Sequence, residues 1–70
     1  MTINNILNLT SLDVSNNTLL TNLNARGNAL IWVNVTGCSA LRYVQLQHNN
    51  ISKLDLTGCS KLHDLYITRN

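Results

Sequence analysis

The chain has 70 residues, of which 44% are hydrophobic and 11% are charged, and its formal net charge is +2. This length allows one small domain at most. The charge is too low, and the five lysines and arginines are too scattered, for the basic surface that nucleic-acid binding requires. No segment has the roughly 18 consecutive apolar residues of a membrane-spanning helix, and residues 1–20 lack the pattern of a signal peptide. We therefore expect no nucleic-acid partner and no membrane span.

From residue 9 onward the sequence repeats with a constant period. The segment TGCSAL at 36–41 returns as TGCSKL at 57–62, and its cysteines give the offset, 59 − 38 = 21. The same offset aligns three segments in which a polar residue lies between two apolar ones, at 12–14, 33–35 and 54–56. We therefore divide the chain into a lead-in segment or partial cap at 1–8 and a repeat domain at 9–70.

Each period is predicted to contain two short strands and no helix. At 44–46 and at 54–56 apolar and polar residues alternate, as they do in a strand whose two faces differ. Half a period, about ten residues, has no room for a helix of three turns together with its connections. The predicted path of each period is therefore strand, turn, strand, turn.

The spacing of the apolar residues resembles that of leucine-rich repeats. The pattern L-x-x-L-x-L-x-x-N is followed by Leu41, Val44, Leu46 and Asn49 and nearly repeated by Ile51, Leu54, Leu56 and Cys59. The chain is similar to the short bacterial class of these repeats, which contain nested half-repeats, over about residues 9 to 70. The resemblance implies a mainly β fold, a right-handed solenoid of about three 21-residue coils with parallel strands and little or no helix. It also implies a role in binding proteins or other ligands.

The apolar columns predict the core. Each inward side chain is expected to stack on its equivalent one period away. The predicted core consists of Leu20, Leu23, Ala25, Leu30, Val33, Val35, Leu41, Val44, Leu46, Ile51, Leu54, Leu56, Leu62, Leu65 and Ile67. Gly37 and Gly58 share a column with Asn16 and are predicted to form a turn that needs positive φ, since glycine and then asparagine tolerate it best.

Two further columns are predicted to form structural ladders of polar side chains. Their members are Asn28, Asn49 and Asn70 in one ladder and Asn17, Cys38 and Cys59 in the other. An amide at an inward turn can both donate to and accept from backbone groups that water does not reach, and a cysteine can replace it as a small buried donor. We expect reduced thiols, with a Cys38–Cys59 disulfide as the alternative.

Neither a catalytic site nor a metal site is predicted. His48 and His63 belong to different columns and are expected to face outward, whereas the cysteines face inward. Asp13 and Asp55 share an outward column with Asn34 and are expected to contact neighbouring backbone rather than to act in acid–base chemistry. We therefore expect a protein without enzymatic activity and without a cofactor.

Comparison of equivalent positions separates a constant strand face from a variable one. Positions 13, 34 and 55 hold Asp, Asn and Asp, whereas 22, 43 and 64 hold Asn, Tyr and Asp, and 24, 45 and 66 hold Asn, Gln and Tyr. Tyrosine and arginine are favoured at interfaces because they combine a large contact area with a polar end. The candidate binding face consists of Tyr43, Gln45, His48, Asp64, Tyr66 and Arg69. The alternative is that these are only solvated strand positions.

Trp32 and Ile31 are expected to form an apolar spot on the constant side, where they cover an edge or contact a neighbouring molecule.

Two functions are consistent with these features. The first is that of a protein- or ligand-binding module that uses the variable face. The alternative is self-assembly, in which identical chains stack end to end into oligomers or filaments, because low charge and unprotected strand edges favour association. Asn70 aligns with Leu7 at an offset of 70 − 7 = 63, three periods, so a following chain could resume the register near Asn8. Residues 1–8 would then move aside or form a partial cap.

Overall fold

The computed structural model describes residues 1–6 and 8–70, and these contain six short strands and no helix. The strands are β1 (Ser11–Asp13), β2 (Asn22–Asn24), β3 (Trp32–Asn34), β4 (Tyr43–Gln45), β5 (Lys53–Asp55) and β6 (Asp64–Tyr66). The prediction of a mainly β chain with short strands and parallel pairing is confirmed. Within residues 1–6 and 8–70, the absence of any helix also means that none could cross a bilayer.

The chain alternates between two parallel sheets. One contains β1, β3 and β5 in that order and is called the odd sheet; the other contains β2, β4 and β6 and is called the even sheet. Leu12 pairs with Val33 and Val33 with Leu54 in the odd sheet, and each step equals the sequence period (33 − 12 = 54 − 33 = 21). Leu23, Val44 and Leu65 show the same step in the even sheet. We refer to residues 9–28, 30–49 and 51–70 as tiers 1, 2 and 3, since each contributes one strand to each sheet.

The core lies between the two sheets and is densest in the middle tier. Side chains less than 2% exposed are Leu23, Ala25, Leu30, Val33, Val35, Cys38, Leu41, Val44 and Leu46. Most of these residues have equivalent side chains both above and below them, which removes their apolar surface from water. In tier 3 the equivalents, Leu54, Leu62 and Leu65 among them, are only partly buried against this cluster.

One residue of the predicted core, Ile67, is not buried. The prediction that it packs in the core with Leu46 and Ala25 is wrong, because it is 46% exposed. Leu46 and Ala25 are fully buried because a further tier covers each of them, and no described residue covers Ile67. The position is an inward one whose burial depends on a following tier.

Two columns of turns require left-handed backbone. Asn16, Gly37 and Gly58 have φ values of 61°, 76° and 84°, as predicted. A β-carbon on Gly58 would lie 3.1 Å from backbone atoms of Gly37, so the stacking of these turns also needs glycine. A second column, which the sequence patterns did not reveal, follows the even sheet.

This second column consists of Asn5, Gly27, His48 and Arg69, with φ values of 57°, 69°, 58° and 61°. Three of its four members carry a side chain, so no recurring glycine marks it in the sequence. Non-glycine residues adopt this conformation at a cost of roughly 1–2 kcal/mol each.

Residues 1–6 extend the even sheet beyond β2. The Asn24 amide donates to the Met1 carbonyl (2.8 Å), and the Ile3 and Asn5 amides donate to the carbonyls of Asn24 (2.7 Å) and Arg26 (3.2 Å). Thr2 forms an isolated parallel bridge with Asn24, an offset of 24 − 2 = 22 rather than 21. The segment therefore covers the edge of β2, while no described residue pairs with the outer edge of β1. The predicted alignment of Leu7 with Asn28 falls outside the described residues.

Candidate binding surface

The outer face of the even sheet brings together four of the predicted binding residues. Tyr43 and Asp64 are direct partners across β4 and β6, and so are Gln45 and Tyr66. Val44 on β4 and Leu65 on β6 lie between these two pairs and point to the core. Because side chains alternate along a strand, the residues on either side of them point to the opposite face. The two tyrosines are 38% and 46% exposed. The result is an amphipathic patch held on two adjacent strands.

His48 and Arg69 lie at one rim of this face rather than on it. Each occupies the left-handed turn three residues after the last strand residue, Gln45 or Tyr66. The His48 amide donates to the carbonyl of Thr68 (3.2 Å), which fixes the turn on the next tier. The six predicted residues thus form a strand patch of four and a turn pair of two.

The opposite rim carries basic residues that the sequence patterns did not indicate. Arg42 and His63 are equivalent positions immediately before β4 and β6. With Thr21, Ala40 and Lys61 they line an open surface cavity of about 490 Å³. The equivalent positions 21, 42 and 63 hold Thr, Arg and His, so they vary between tiers. A comparison of equivalent residues outside the strands would therefore have indicated this rim.

Two contacts tie this rim to the strand patch. The Arg42 guanidinium carbon lies 5.8 Å from the centroid of the Tyr43 ring, within the range of a cation–π interaction. The His63 Nδ1 atom lies 3.3 Å from an Asp64 carboxylate oxygen. Both pairs are at the surface, where such contacts contribute little to stability. Their effect is to hold a guanidinium group beside the exposed tyrosine and an imidazole beside the carboxylate.

The odd sheet presents a different outer face, because the Asp and Asn side chains of one outward column are hydrogen-bonded to their own turns. Oδ1 of Asp13 accepts a hydrogen bond from the Ser15 amide (3.0 Å), and Asp55 accepts one from Thr57 (3.0 Å). Asn34 does the same with Thr36 (2.9 Å). Hydrogen bonds from Ser15 and from Thr57 lower the pKa values of Asp13 and Asp55. The contact to neighbouring backbone that the sequence predicted is confirmed.

The asparagine column forms hydrogen bonds between tiers. Asn49 Nδ2 donates to the carbonyls of Leu46 (2.9 Å) and Ala25 (3.0 Å), and its Oδ1 accepts from the Leu30 amide (3.1 Å). Asn70 makes the same set one tier later, to Ile67, Leu46 and Ile51. Asn28 donates to Ala25 and Ile3 and accepts from Ile6. Each amide therefore bridges its own turn to the preceding tier or, for Asn28, to residues 1–6.

The cysteine column is the corresponding ladder beside the odd sheet. Nδ2 of Asn17 (2.6 Å) and Sγ of Cys38 (3.1 Å) both donate to the Val14 carbonyl, and Cys59 Sγ donates to that of Val35 (3.2 Å). Both cysteines are free thiols, Cys38 buried and Cys59 partly buried. Burial, and then the neighbouring Cys38, raise the pKa of the Cys59 thiol. A neutral thiol is a poor nucleophile, which fits a structural position.

Residues 1–6 and 8–70 contain no group of three His, Cys, Asp or Glu side chains that could hold a metal ion. No family model matches the chain, and no curated protein or solved structure is significantly similar to it.

Proposed function

We propose that the chain is a non-enzymatic leucine-rich-repeat module, wound as a solenoid of three 21-residue coils, that binds a protein or other ligand through the outer face of the even sheet. The observation that carries this proposal is the contrast between the two sheets. Asp13, Asn34 and Asp55 in the odd sheet each accept a hydrogen bond from the amide two residues later, whereas in the even sheet Asn24 alone among the described strand residues does so. The even sheet instead exposes Tyr43 and Tyr66, with Arg42 and His63 at one rim and Arg69 at the other.

Two features support the leucine-rich-repeat and solenoid part of the proposal. The parallel 21-residue register in both sheets agrees with the period of the resemblance. The asparagine column, which the repeat pattern contains, donates to backbone carbonyls of its own and the preceding tier. In a repeat fold, such contacts between neighbours supply much of the stability.

The size of the face defines the kind of ligand it can bind alone. Three strands at a spacing of ~4.8 Å, each of three residues and so about 10 Å long, give a face of about 150 Å². This area is well below the roughly 800 Å² per partner of a standard protein interface. A single chain therefore suits a short peptide or a small surface patch. A larger partner requires several copies or a longer array of repeats.

A random-peptide display library tests the binding proposal and does not require an identified partner. Peptides selected on the wild-type chain are expected to lose at least about tenfold in affinity for the double variant Tyr43→Glu, Tyr66→Glu, because the aromatic contacts are replaced by charge. The matched control is Ser11→Glu, Lys53→Glu, at outward positions of the odd sheet. Peptides that tolerate the tyrosine variant and fail on the control would contradict the assignment of the face.

Self-stacking is a second candidate, favoured by the unpaired end of tier 3. The Val35 and Leu46 amides donate to the carbonyls of Asp55 and Tyr66 in the tier that follows. Their tier 3 equivalents, the Leu56 and Ile67 amides, have no backbone acceptor among the described residues. Beside them an apolar groove of about 170 Å³ is lined by Ile51, Leu54 and Ile67, among others. Unpaired amides next to exposed apolar surface are a template for a further strand.

Light scattering over a concentration series, with negative-stain microscopy of the same samples, tests stacking. Growth of the molar mass into regular rods is the expected result, and the variant Tyr43→Glu, whose substitution lies in the middle tier, is expected to assemble like the wild type. A mass that stays that of one chain at every concentration would contradict self-stacking by the wild-type chain.

A further inference from the structure

Residues 1–6 stand in the place of one half of a preceding tier. The Ile3 and Asn5 amides donate to Asn24 and Arg26, as the Ala25 and Gly27 amides donate to Gln45 and Gln47 one tier later. Ile3 therefore occupies the column of Ala25, Leu46 and Ile67. Asn5 occupies the left-handed column of Gly27, His48 and Arg69. The short segment reproduces the backbone pattern of the second half of a tier without its core leucines.

The fit is imperfect where the segment joins tier 1. Four residue steps separate Asn5 from Leu9 (9 − 5), whereas three separate the equivalent Gly27 from Leu30 (30 − 27). The regular ladder is altered as a result. Oδ1 of Asn49 accepts from the Leu30 amide, but Oδ1 of Asn28 accepts from Ile6, and the Leu9 amide bonds to Ile6 instead.

The opposite end of the molecule offers the regular partner. The carbonyls of Ala25 and Leu46 each accept from two asparagine amides, one of their own tier and one of the next. Ile67, in the same column, accepts only from Asn70 among the described side chains. The second donor it lacks is an equivalent of Asn28, whose amide is bound to the Ile3 carbonyl at 2.6 Å.

Two chains cannot continue one register while residues 1–6 stay in place. The segment fills the even-sheet position next to β2 but leaves the edge of β1 open. If β6 of one chain paired with the segment of the next, β5 and β1 in the odd sheet would lie two strand spacings, about 9.6 Å, apart. If residues 64–70 replaced the segment, β5 would meet β1 and the 21-residue register would continue in both sheets.

We propose that residues 1–6 are a displaceable cap, and that the edge of β2 beneath them is the docking site for residues 64–70 of a second copy of this chain. The inference rests on the stacking proposal and adds that residues 1–6 limit the stacking by occupying the docking site. On docking, the side-chain amide of Asn28 releases the Ile3 carbonyl and donates instead to the carbonyl of Ile67 of the incoming copy. Arg69 of that copy takes the left-handed position of Asn5. Exposed Ile67 becomes covered, and the wild-type chain stacks only to the extent that the cap leaves its site.

The variant Asn5→Pro of the 70-residue chain tests the cap. Proline cannot adopt the φ of 57° at this position and lacks the amide that bonds to Arg26, so the cap is weakened while residues 9–70 are unchanged. Asn5→Gly is the matched control, since glycine accepts the left-handed backbone and keeps the amide. Light scattering is expected to show that Asn5→Pro assembles at a concentration at least about tenfold lower than the wild type or the glycine control.

A second pair of variants identifies the docking surface. Ile67→Lys in the Asn5→Pro background is expected to restore the mass of one chain, because it places a charge in the contact between copies. Ile31→Lys is the matched control, since Ile31 is equally exposed (47% against 46%) but lies outside the tier 3 end. Hydrogen exchange of wild-type rods is expected to show fast exchange at Ile3 and Asn5 and continued protection at Asn24.

Each contrary outcome has a separate meaning. Wild-type rods that keep Ile3 and Asn5 protected, with no shift for Asn5→Pro, would overturn the cap and leave stacking intact. A folded Asn5→Pro variant with fast exchange at Ile3 that stays a single chain at every concentration would overturn both the cap and the stacking proposal. Circular dichroism showing that Asn5→Pro is unfolded would also overturn the cap, because a displaceable segment must leave the rest of the fold intact.

Discussion

The outward column of the odd sheet shows one structural task performed by two residue types. Asp13, Asn34 and Asp55 each accept a hydrogen bond from the amide two residues later, at 2.9 to 3.0 Å. The amide oxygen of Asn34 does this without charge, whereas the carboxylates can do it fully only while ionised. The contribution of this column to stability should therefore depend on pH in tiers 1 and 3, which hold Asp, and not in tier 2, which holds Asn.

We predict that acid sensitivity follows the number of carboxylates in this column. The folded-state pKa values of Asp13 and Asp55 are lowered by hydrogen bonds from Ser15 and Thr57. Their contribution is therefore complete above the unfolded pKa of about 3.9 and is lost as the pH falls through the lower folded values. Melting temperatures measured from pH 7 to pH 2 by circular dichroism should fall less for Asp13→Asn, Asp55→Asn than for the wild type. Asn34→Asp, which adds a third carboxylate, should fall more; equal slopes for all three chains would contradict the assignment.

The residues with left-handed backbone that follow the strands of the even sheet give a second prediction for single residues. His48 has a φ of 58° and a β-carbon, while its equivalent Gly27 has none. Relief of this strain by His48→Gly is expected to stabilise the fold by about 0.5–1 kcal/mol, after allowance for the greater freedom of glycine in the unfolded chain. Urea unfolding measures the change. His48→Ala, which keeps the β-carbon, should bring no such gain, and a gain equal to that of glycine would show that the backbone is not strained here.

At the scale of the element, the stabilising unit is a turn joined to the tier before it. A three-residue strand offers few ladder bonds of its own, and the asparagine column adds side-chain bonds between tiers. Asn49 is the central example, because its amide group is bonded on both the donor and the acceptor side and lies in the middle tier, between tiers 1 and 3. Asn70 makes equivalent bonds at the exposed end.

We predict that Asn49→Ala costs about 2–4 kcal/mol, since it leaves the Leu30 amide and shared carbonyls of Ala25 and Leu46 with fewer partners away from water. Asn70→Ala should cost about 1 kcal/mol or less, because water replaces the lost bonds at the end of the stack. Urea unfolding of the two variants provides the comparison. Equal effects would mean that the ladder contributes no more inside the stack than at its end.

The elements differ in how far they could be predicted from sequence. Strands such as Tyr43–Gln45 follow from alternation around an apolar residue, and their parallel register follows from the 21-residue period. The pairing of residues 1–6 could not be foreseen, because an offset of 22 and the absence of leucine at Thr2 to Asn5 remove the segment from the pattern. Ile67 was wrongly assigned to the core, since its column indicates direction but not whether a further tier covers it.

The candidate site was predicted only in part, because the sequence pattern is informative within the strands and not beside them. Tyr43 and Tyr66 were found because they stand in strand columns that vary between tiers. Arg42 and His63 were missed because they immediately precede the strands, where alternation no longer says which face a side chain occupies. His48 and Arg69 were identified by variation, but their place in a left-handed turn depends on backbone geometry that their residue types do not favour.

At the scale of the whole molecule, burial rises toward the middle tier, as expected for stacked repeats with nearest-neighbour contacts. We predict that Leu46→Ala, at a fully buried position, destabilises the chain by about 2–5 kcal/mol through lost burial and the cavity left behind. Leu65→Ala, in the partly buried outer tier, should cost less than half as much. Urea unfolding measures both, and the reverse order would indicate that tier 3 is covered in solution.

The stacked register underlies both proposed functions, and nuclear Overhauser contacts between backbone protons test it most directly. We predict contacts of Val44 with Leu23 and with Leu65, one period before and after it, and of the Ile3 amide with Asn24. We also predict no direct pairing between consecutive strands such as β3 and β4. Contacts that pair β4 with β3 or β5 as antiparallel hairpins would contradict the register, the two faces derived from it and the cap at residues 1–6.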